Sequence, residues 1–488
     1  MAMVSSMALQ ATQGASPFMY LGVINDGTEN QGYLEYSTEA VQSKSAKFGV
    51  EYAYGDFIHI RSCLTNKYLT RSSTNGHWIV AQGVEPVADL TSWMCTLFKM
   101  DIKDDKTATF CHAQSGTTLR IPNDGSTRTM FWSIDPAATT EAVSFVVDYD
   151  TVVVLPKFVA FKGSNGLYYK HFSVGDDCYA HFSVNDIGDP NILCEIINTS
   201  NGHIRVKAVN YGGTDNYWEY FGECQDLIVC ERDNPTNPNQ RFAVIKVDKN
   251  VVALRCIGNN KICRMADIDS AYNKDRLVAT ADGVIKEAYF EVVEPMFRRT
   301  VTTYEFDLDN ARIYEVSLLY SDEHVWDNYT DETQSGTANG TISTTKSHTF
   351  SNNITVSAGV KTTFESGIPF IFEAKFEISL SGSYSRQWGE TKEQEQQVGN
   401  IFTVVVKPMK RTIAKGVATK GTCDVPFAYV QKDYPTSGGP PIVTKLKDGV
   451  FTGANAYSFH EEVRYEELPP PKETRHQPPT KIIKHSAL

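Results

Sequence analysis

The sequence predicts a mostly β protein. Three observations carry that reading. Aromatic residues and glycine are plentiful. Short runs alternate apolar and polar side chains, the period of a strand with one wet face, and turn formers separate them. Stretches with helical periodicity are scarce. A chain of 488 residues is expected to form about three domains.

The first elements form an internal duplication. Residues 55–78, GDFIHIRSCLTNKYLTRSSTNGHW, and 202–218, GHIRVKAVNYGGTDNYW, each read as an alternating strand, a polar turn and an aromatic anchor. Downstream lie SWMCTLFK (92–99) and NQRFAVIKV (239–247), with Trp93 and Phe98 read as core. Two homologous domains are expected, over 16–152 and 153–296, after a flexible N-terminus over 1–15. A finer repeat runs through the second. Val159-Ala160-Phe161-Lys162, Ile204-Arg205-Val206-Lys207 and Val252-Ala253-Leu254-Arg255 are strands ending in a cation and followed by a Gly/Asn turn. No one repeat buries its own face, so three closing a shared core point to a β-trefoil, with a generic β-sandwich as the alternative.

From Phe297 the repeats stop and Ser, Thr and Glu rise. Strands are expected over 312–320, 400–406, 411–417, 427–432 and 449–464, a turn over 436–441, and a mobile Pro-rich tail over 469–488. Within this third domain (297–468) the even positions Ile354, Val356, Ala358, Val360, Thr362 and Phe364, then Phe372, Ala374, Phe376, Ile378 and Leu380, are apolar or threonine. The odd positions carry Lys361, Glu365, Glu373, Lys375 and Glu377 among small polar residues. An apolar tip, Gly367, Ile368, Pro369, Phe370, Ile371 and Phe372, joins the two runs.

Each run reaches the 9–11 residues or so that a tilted strand needs to cross a bilayer. A lone hairpin in lipid leaves its edge amides unpaired, so the pattern makes physical sense as one element of a closed barrel made by several copies. Even residues would face lipid and the five charged residues would line the lumen, giving a weak cation preference. The plainer reading is a pair of sandwich strands with one wet face. A turn centred on Pro369 sets Lys361 opposite Glu377 and Glu365 opposite Glu373. One centred on Phe370 sets Glu365 opposite Lys375, which charge pairing favours. The chain's own sheet, including residues 341–351, is expected to cover the oily face before insertion.

Composition excludes several classes. A formal net charge of −12 argues against a nucleic-acid partner. No Gly-x-Ser-x-Gly, HExxH, P-loop or GxGxxG motif occurs, and the 11 histidines show no metal-ligand spacing, so neither an enzyme, a cofactor nor a metal is expected. A carbohydrate-active enzyme, with two of the numerous carboxylates flanking a glycosidic bond, is one alternative. Residues 1–16 have no basic stretch followed by an apolar core, and no run is apolar enough for a membrane helix. The expected location is cytoplasmic or nucleocytoplasmic, moving to membrane on insertion. The 10 cysteines are then reduced thiols.

The repeats at 55–99 and FVAFKGSNGLY (158–168) resemble the tandem agglutinin domains of amaranthin-type plant lectins. Residues 349–388, with their Gly-Ile-Pro-Phe tip, resemble the aerolysin-type pore-forming module. The resemblance implies two β-trefoils followed by an elongated β module, in plant defence or stress proteins. It implies binding of galactosyl-β1,3-N-acetylgalactosamine on glycoproteins or glycolipids. The site would be shared between the first trefoil of one subunit and the second of its partner, with a dimer through the lectin domains and a larger ring for the pore. The family's segment of Asn followed by His, Tyr and Trp matches Asn75-Gly76-His77-Trp78. Asn75 and Trp78 carry over, while His77 stands where the family has Tyr. The corresponding loop of the second trefoil is Asn216-Tyr217-Trp218, with altered spacing. The residues agree independently: a sugar's C–H face packs on an aromatic ring while its hydroxyls need a fixed amide. A turn with an anchoring tryptophan is the competing reading of Trp78. For the whole chain, the other alternative is a non-lytic lectin whose third domain only oligomerises.

Overall fold

The computed structural model describes residues 5–12, 19–38, 40–73, 76–122, 131–138, 140–174, 177–199, 202–209, 216–268, 274–356, 359–380 and 382–468. The regular elements among them are β-strands and short 3-10 turns, so the protein is mostly β, as its alternating runs predict.

Strand pairing defines the first two units. In the first, Ser6–Ala11, Phe48–Tyr52, Phe57–Ser62, Leu97–Ile102, Thr107–His112 and Ser144–Asp148 pair in succession, and the last closes on the first. In the second, Phe158–Lys162, Cys194–Asn198, His203–Ala208, Phe242–Lys246, Val251–Cys256 and Phe290–Val293 close in the same way. Hairpins cap the second ring: Tyr168–Val174 with Asp177–Val184, Asn216–Phe221 with Leu227–Arg232, and Ile262–Ala266 with Arg276–Ala281. A closed six-strand barrel with three capping hairpins is the strand plan of a β-trefoil. The sequence repeats fall on the corresponding strands Phe158–Lys162, His203–Ala208 and Val251–Cys256. Each of these has three consecutive buried residues after a partly exposed first one. Each barrel encloses its own apolar core, around Phe48, Phe98, Phe110 and Trp132 in the first and Phe161, Phe182, Trp218 and Phe290 in the second. Cys194, Cys256 and Cys263 lie in the second core as small apolar fillers, and burial pushes their thiols up.

One boundary differs from the sequence reading. The flexible segment expected over 1–15 contains strand Ser6–Ala11, which opens the first barrel. Met7 and Leu9 face the barrel core and Ala8 the opposite cluster, so the four residues from Ser6 to Leu9 are buried on both faces without showing an obvious period. The mobile tail expected over 469–488 lies outside the described residues.

The third unit is elongated. Strands Lys410–Pro435 and Ile442–Glu467, 26 residues each, pair antiparallel along their whole length, about 85 Å at ordinary strand rise. The strands read separately over 411–417 and 427–432 are parts of one strand. Its neighbours are Met296–Phe306, Arg312–Tyr320 and His324–Asn328 on one side, and Ile342–Ser351 pairs with the second long strand. The core holds Val301, Phe350, Phe364, Ile371, Phe427, Tyr429 and Phe451.

Both barrels dock on this unit. From the first, Glu51 accepts from Arg61 at 3.1 Å and Arg312 at 3.3 Å, and Arg312 also binds Asp424 at 3.0 Å. Asn66 Nδ2 and Lys67 Nζ donate to the Asn310 and Asp309 carbonyls. At the second barrel's junction, Arg299 lies between Glu294 and Asp433, all three under 5% exposed. Burial alone would lower the Arg299 pKa, but the two carboxylates outweigh it and hold the guanidinium above its ordinary value.

Candidate functional site

The hairpin of the third unit is built differently from its sequence expectation. Residues 354, 356 and 359–361 are not in a strand. Thr362–Ser366 is a short strand between Met296–Phe306 and Gly382–Arg386. Pro369–Phe372 then pairs with Lys375–Ile378. The reversal lies at Glu373-Ala374, with φ of 45° and 61°, the signs of a two-residue type I′ turn. The expected tip is therefore one arm of the hairpin: Ile371 is 1% exposed in the third core. Asn455 sets this placement, accepting from Ile371 N at 2.9 Å and donating to Ile371 O at 2.8 Å.

Neither expected register occurs. Phe372 pairs with Lys375 and Phe370 with Glu377, so at the tip even positions of one arm face odd positions of the other. At the base Phe364 pairs with Tyr384 and Glu365 with Ser383, even with even. A one-residue shift between these ladders mixes apolar and charged side chains on each face of the tip. The uniform oily and wet faces inferred from the sequence are thus absent from this conformation. Lys361, Glu365, Glu373, Lys375 and Glu377 are all exposed, and Glu365 accepts from Thr302 Oγ1 at 2.9 Å.

The cover is partial. Phe364 is fully buried and stacks on Phe350 of strand Ile342–Ser351, within the segment expected to provide shelter. Toward the tip, Phe372, Ile378 and Leu380 are 49%, 43% and 93% exposed. A cavity of about 340 Å³ separates Ile368, Pro369 and Phe370 from Lys346, Ser347, His348 and Phe451. His348 Nε2 and Arg386 Nε and Nη1 are buried with no hydrogen-bond partner. Burial first, then the charges of Arg386 and Lys346, pulls the His348 pKa from 6.5 to about 4.

The sugar-site residues separate. Asn75 lies outside the described residues. His77 is exposed, and Trp78 is half-buried with its ring edge-on to Tyr33 at 6.3 Å and Phe131 at 6.0 Å. In the second barrel, Asn216 and Tyr217 are buried. Trp218 is 1% exposed and packed by Phe161, Tyr169 and Phe242. Its ring offers no open face, so as a stacking platform it is ruled out by core packing. The two aromatic anchors are also not equivalent: Trp218 lies on the first strand of its capping hairpin and Trp78 just before the second strand of its own.

Sequence reasoning missed Trp93. Read as core, it is 45% exposed, whereas Phe98 is buried as expected. The Arg71 guanidinium stacks on the indole at 3.6 Å and also donates to Gln114 at 2.8 Å. Trp93 Nε1 donates to Ser72 O at 3.3 Å. A Cβ on Gly76 would meet the indole at 2.5 Å, so glycine lets the 76–78 loop close on the ring. An exposed aromatic ring, a fixed guanidinium and an amide, drawn from separate segments of the first barrel, thus meet beside the 76–78 loop that carries His77. Only the Gly76 signal, a glycine inside an otherwise bulky motif, could have pointed to this close approach.

Residues 8–140 match the Agglutinin domain family. No curated protein matches the chain. Among solved structures it is similar to a mosquitocidal holotoxin (11% identity, 62% of this chain and 36% of that one, TM-score 0.28). The chain thus spans about a third of that toxin's length. It is also similar to a lamprey immune protein (10% identity, 75% and 90% of the two chains, TM-score 0.29). A non-toxic crystal protein from Bacillus thuringiensis gives 16% identity over 35% and 85% of the two chains, with a TM-score of 0.23. These scores are below the level at which two chains share an overall arrangement.

Proposed function

We propose that this chain is a non-catalytic sugar-binding protein whose third unit inserts a β-hairpin into membranes, an aerolysin-like module behind two agglutinin-type β-trefoils. The sugar-binding half is supported by the Agglutinin match and by the cluster of Trp93, Arg71 and Gln114 beside the 76–78 loop. Galactose- or N-acetylgalactosamine-type glycans on glycoproteins or glycolipids fit such a platform, the indole taking the C–H face and Arg71 and Gln114 the hydroxyls.

One observation carries the membrane half: an apolar hairpin seated only in part. Phe372, Ile378 and Leu380 already reach solvent beside a cavity, while the charged odd residues point outward. Each large apolar side chain gains about 1.5–3 kcal/mol on burial, so acyl chains offer what the seat leaves uncovered. The seated hairpin is too short and mixed in face to span a bilayer. Insertion therefore extends the strand through residues 354–361 and slips the tip by one residue, which sorts even positions to lipid and odd ones to the lumen. Several copies close the barrel, because an open edge in lipid is untenable. Release begins from a protein located in the cytoplasm or nucleus, and plant defence is the setting the family resemblance favours.

The test is dye release from liposomes with and without a Galβ1,3GalNAc glycolipid. Release that requires the glycolipid supports both halves. Binding without release leaves a non-lytic lectin, a reading favoured by the Asn455 bonds that hold Ile371 in place.

A further inference from the structure

The hairpin's N-terminal flank is tied to the linker joining the two barrels. Val152, Val153, Val154 and Leu155 are all buried, yet they alternate in destination. Val152 and Val154 pack with Ala8, Tyr20 and Val41 of the first barrel, and Val153 and Leu155 enter the core of the second. On this linker lies Thr355. Its backbone N donates to Val154 O at 3.0 Å, and its Oγ1 accepts from Val154 N at 2.8 Å. The next residue, Val356, is fully buried inside the second barrel's core cluster, although it belongs to the third unit. Val360 closes the segment against Leu193 and Met296, and Lys361 O accepts from Arg299 N at 2.9 Å. The barrels touch directly here too, since a Cβ on Gly202 would meet Val41 at 2.8 Å.

We propose that the Val152–Leu155 linker is a latch on residues 353–356, opened when the two barrels shift against each other. This inference rests on the pore-forming reading above and supplies its regulation. A linker anchored alternately in two bodies cannot stay straight when they move. Because both partners of the Thr355 hydrogen bonds lie on Val154, distortion there frees the flank that insertion needs. A glycan bridging or reorienting the barrels then acts on the hairpin without touching it, through a named two-state element.

The experiment uses the full chain with V154C and T355C, cysteines placed on backbone-bonded neighbours, beside the parent treated identically. On phosphatidylcholine vesicles carrying a Galβ1,3GalNAc glycolipid, the oxidised variant should bind like the parent yet release no dye, and reductant should restore release. Oxidised protein that releases dye as fast as reduced protein overturns the latch and leaves the pore standing. If even the parent releases none, the pore reading fails, and hydrogen exchange in solution still decides the latch. T355V should then raise exchange over 353–356 roughly fivefold, the weight of one ordinary hydrogen bond, and the disulfide should slow it. Exchange unchanged in both variants overturns the proposal.

Discussion

Asn455→Ala removes the clamp that holds the hairpin to the second long strand. The Asn455 amide makes both bonds to Ile371, at 2.9 and 2.8 Å, from an 8% exposed position. Each such bond is worth about 1 kcal/mol net, and a buried amide left unpaired costs more. The neighbouring cavity, which Asn455 itself lines, gives water a route to the orphaned Ile371 groups, so the lower figure applies. The loss is then about 2 kcal/mol, or roughly thirtyfold in the equilibrium between seated and released hairpin. Hydrogen exchange over Pro369–Phe372 and Lys375–Ile378 should accelerate by that factor. Exchange in the two barrels should not change, and glycolipid-dependent dye release should begin sooner. A variant whose hairpin exchanges within twofold of the parent would refute the reasoning, because the seat would then depend on apolar contact alone.

Three further outcomes are expected. Trp93→Ala should weaken binding to a galactosylated glycoprotein by roughly tenfold or more on a biosensor, with little change in melting temperature because the ring is 45% exposed. Acid should loosen the hairpin through His348. A released His348 takes up a proton near pH 6.5, whereas the seated one resists until about pH 4, so the seat is fully stable above that window and loses stability as pH falls through it; exchange measured from pH 7 to 4 should show this, and His348→Gln should flatten it. Arg299→Ala leaves Glu294 and Asp433 buried without their cation, which should destabilise the junction by about 3–5 kcal/mol in urea titrations followed by tryptophan fluorescence.

Much of the fold was legible because it is local. The trefoil repeat showed itself in Val159-Ala160-Phe161, Ile204-Arg205-Val206 and Val252-Ala253-Leu254, where one short strand ending in a cation recurs and three copies share a core. Strand Arg312–Tyr320 and the turn after Pro435 follow from alternation and from Ser-Gly-Gly-Pro-Pro. What the sequence concealed depends on tertiary partners. Glu373-Ala374 carries no Asn-Gly or Asp-Gly signature, and the turn forms there because Asn455 and the third core capture Ile371. Trp93 sits in a run whose pattern is that of a core strand, and only the fold shows that Arg71 and the Gly76 loop hold its ring at the surface. Val356 belongs by sequence to the hairpin and by packing to the second barrel.

The central claim is that the hairpin leaves its seat and crosses lipid with its side chains re-sorted. Single cysteines at 364, 376, 378 and 380, and at 365, 375, 377 and 379, each carrying an environment-sensitive dye, test it most directly on glycolipid vesicles. The account predicts that the even set reports acyl chains and the odd set water. Dyes that all report water, or that keep the mixed pattern of the seated tip, would contradict it.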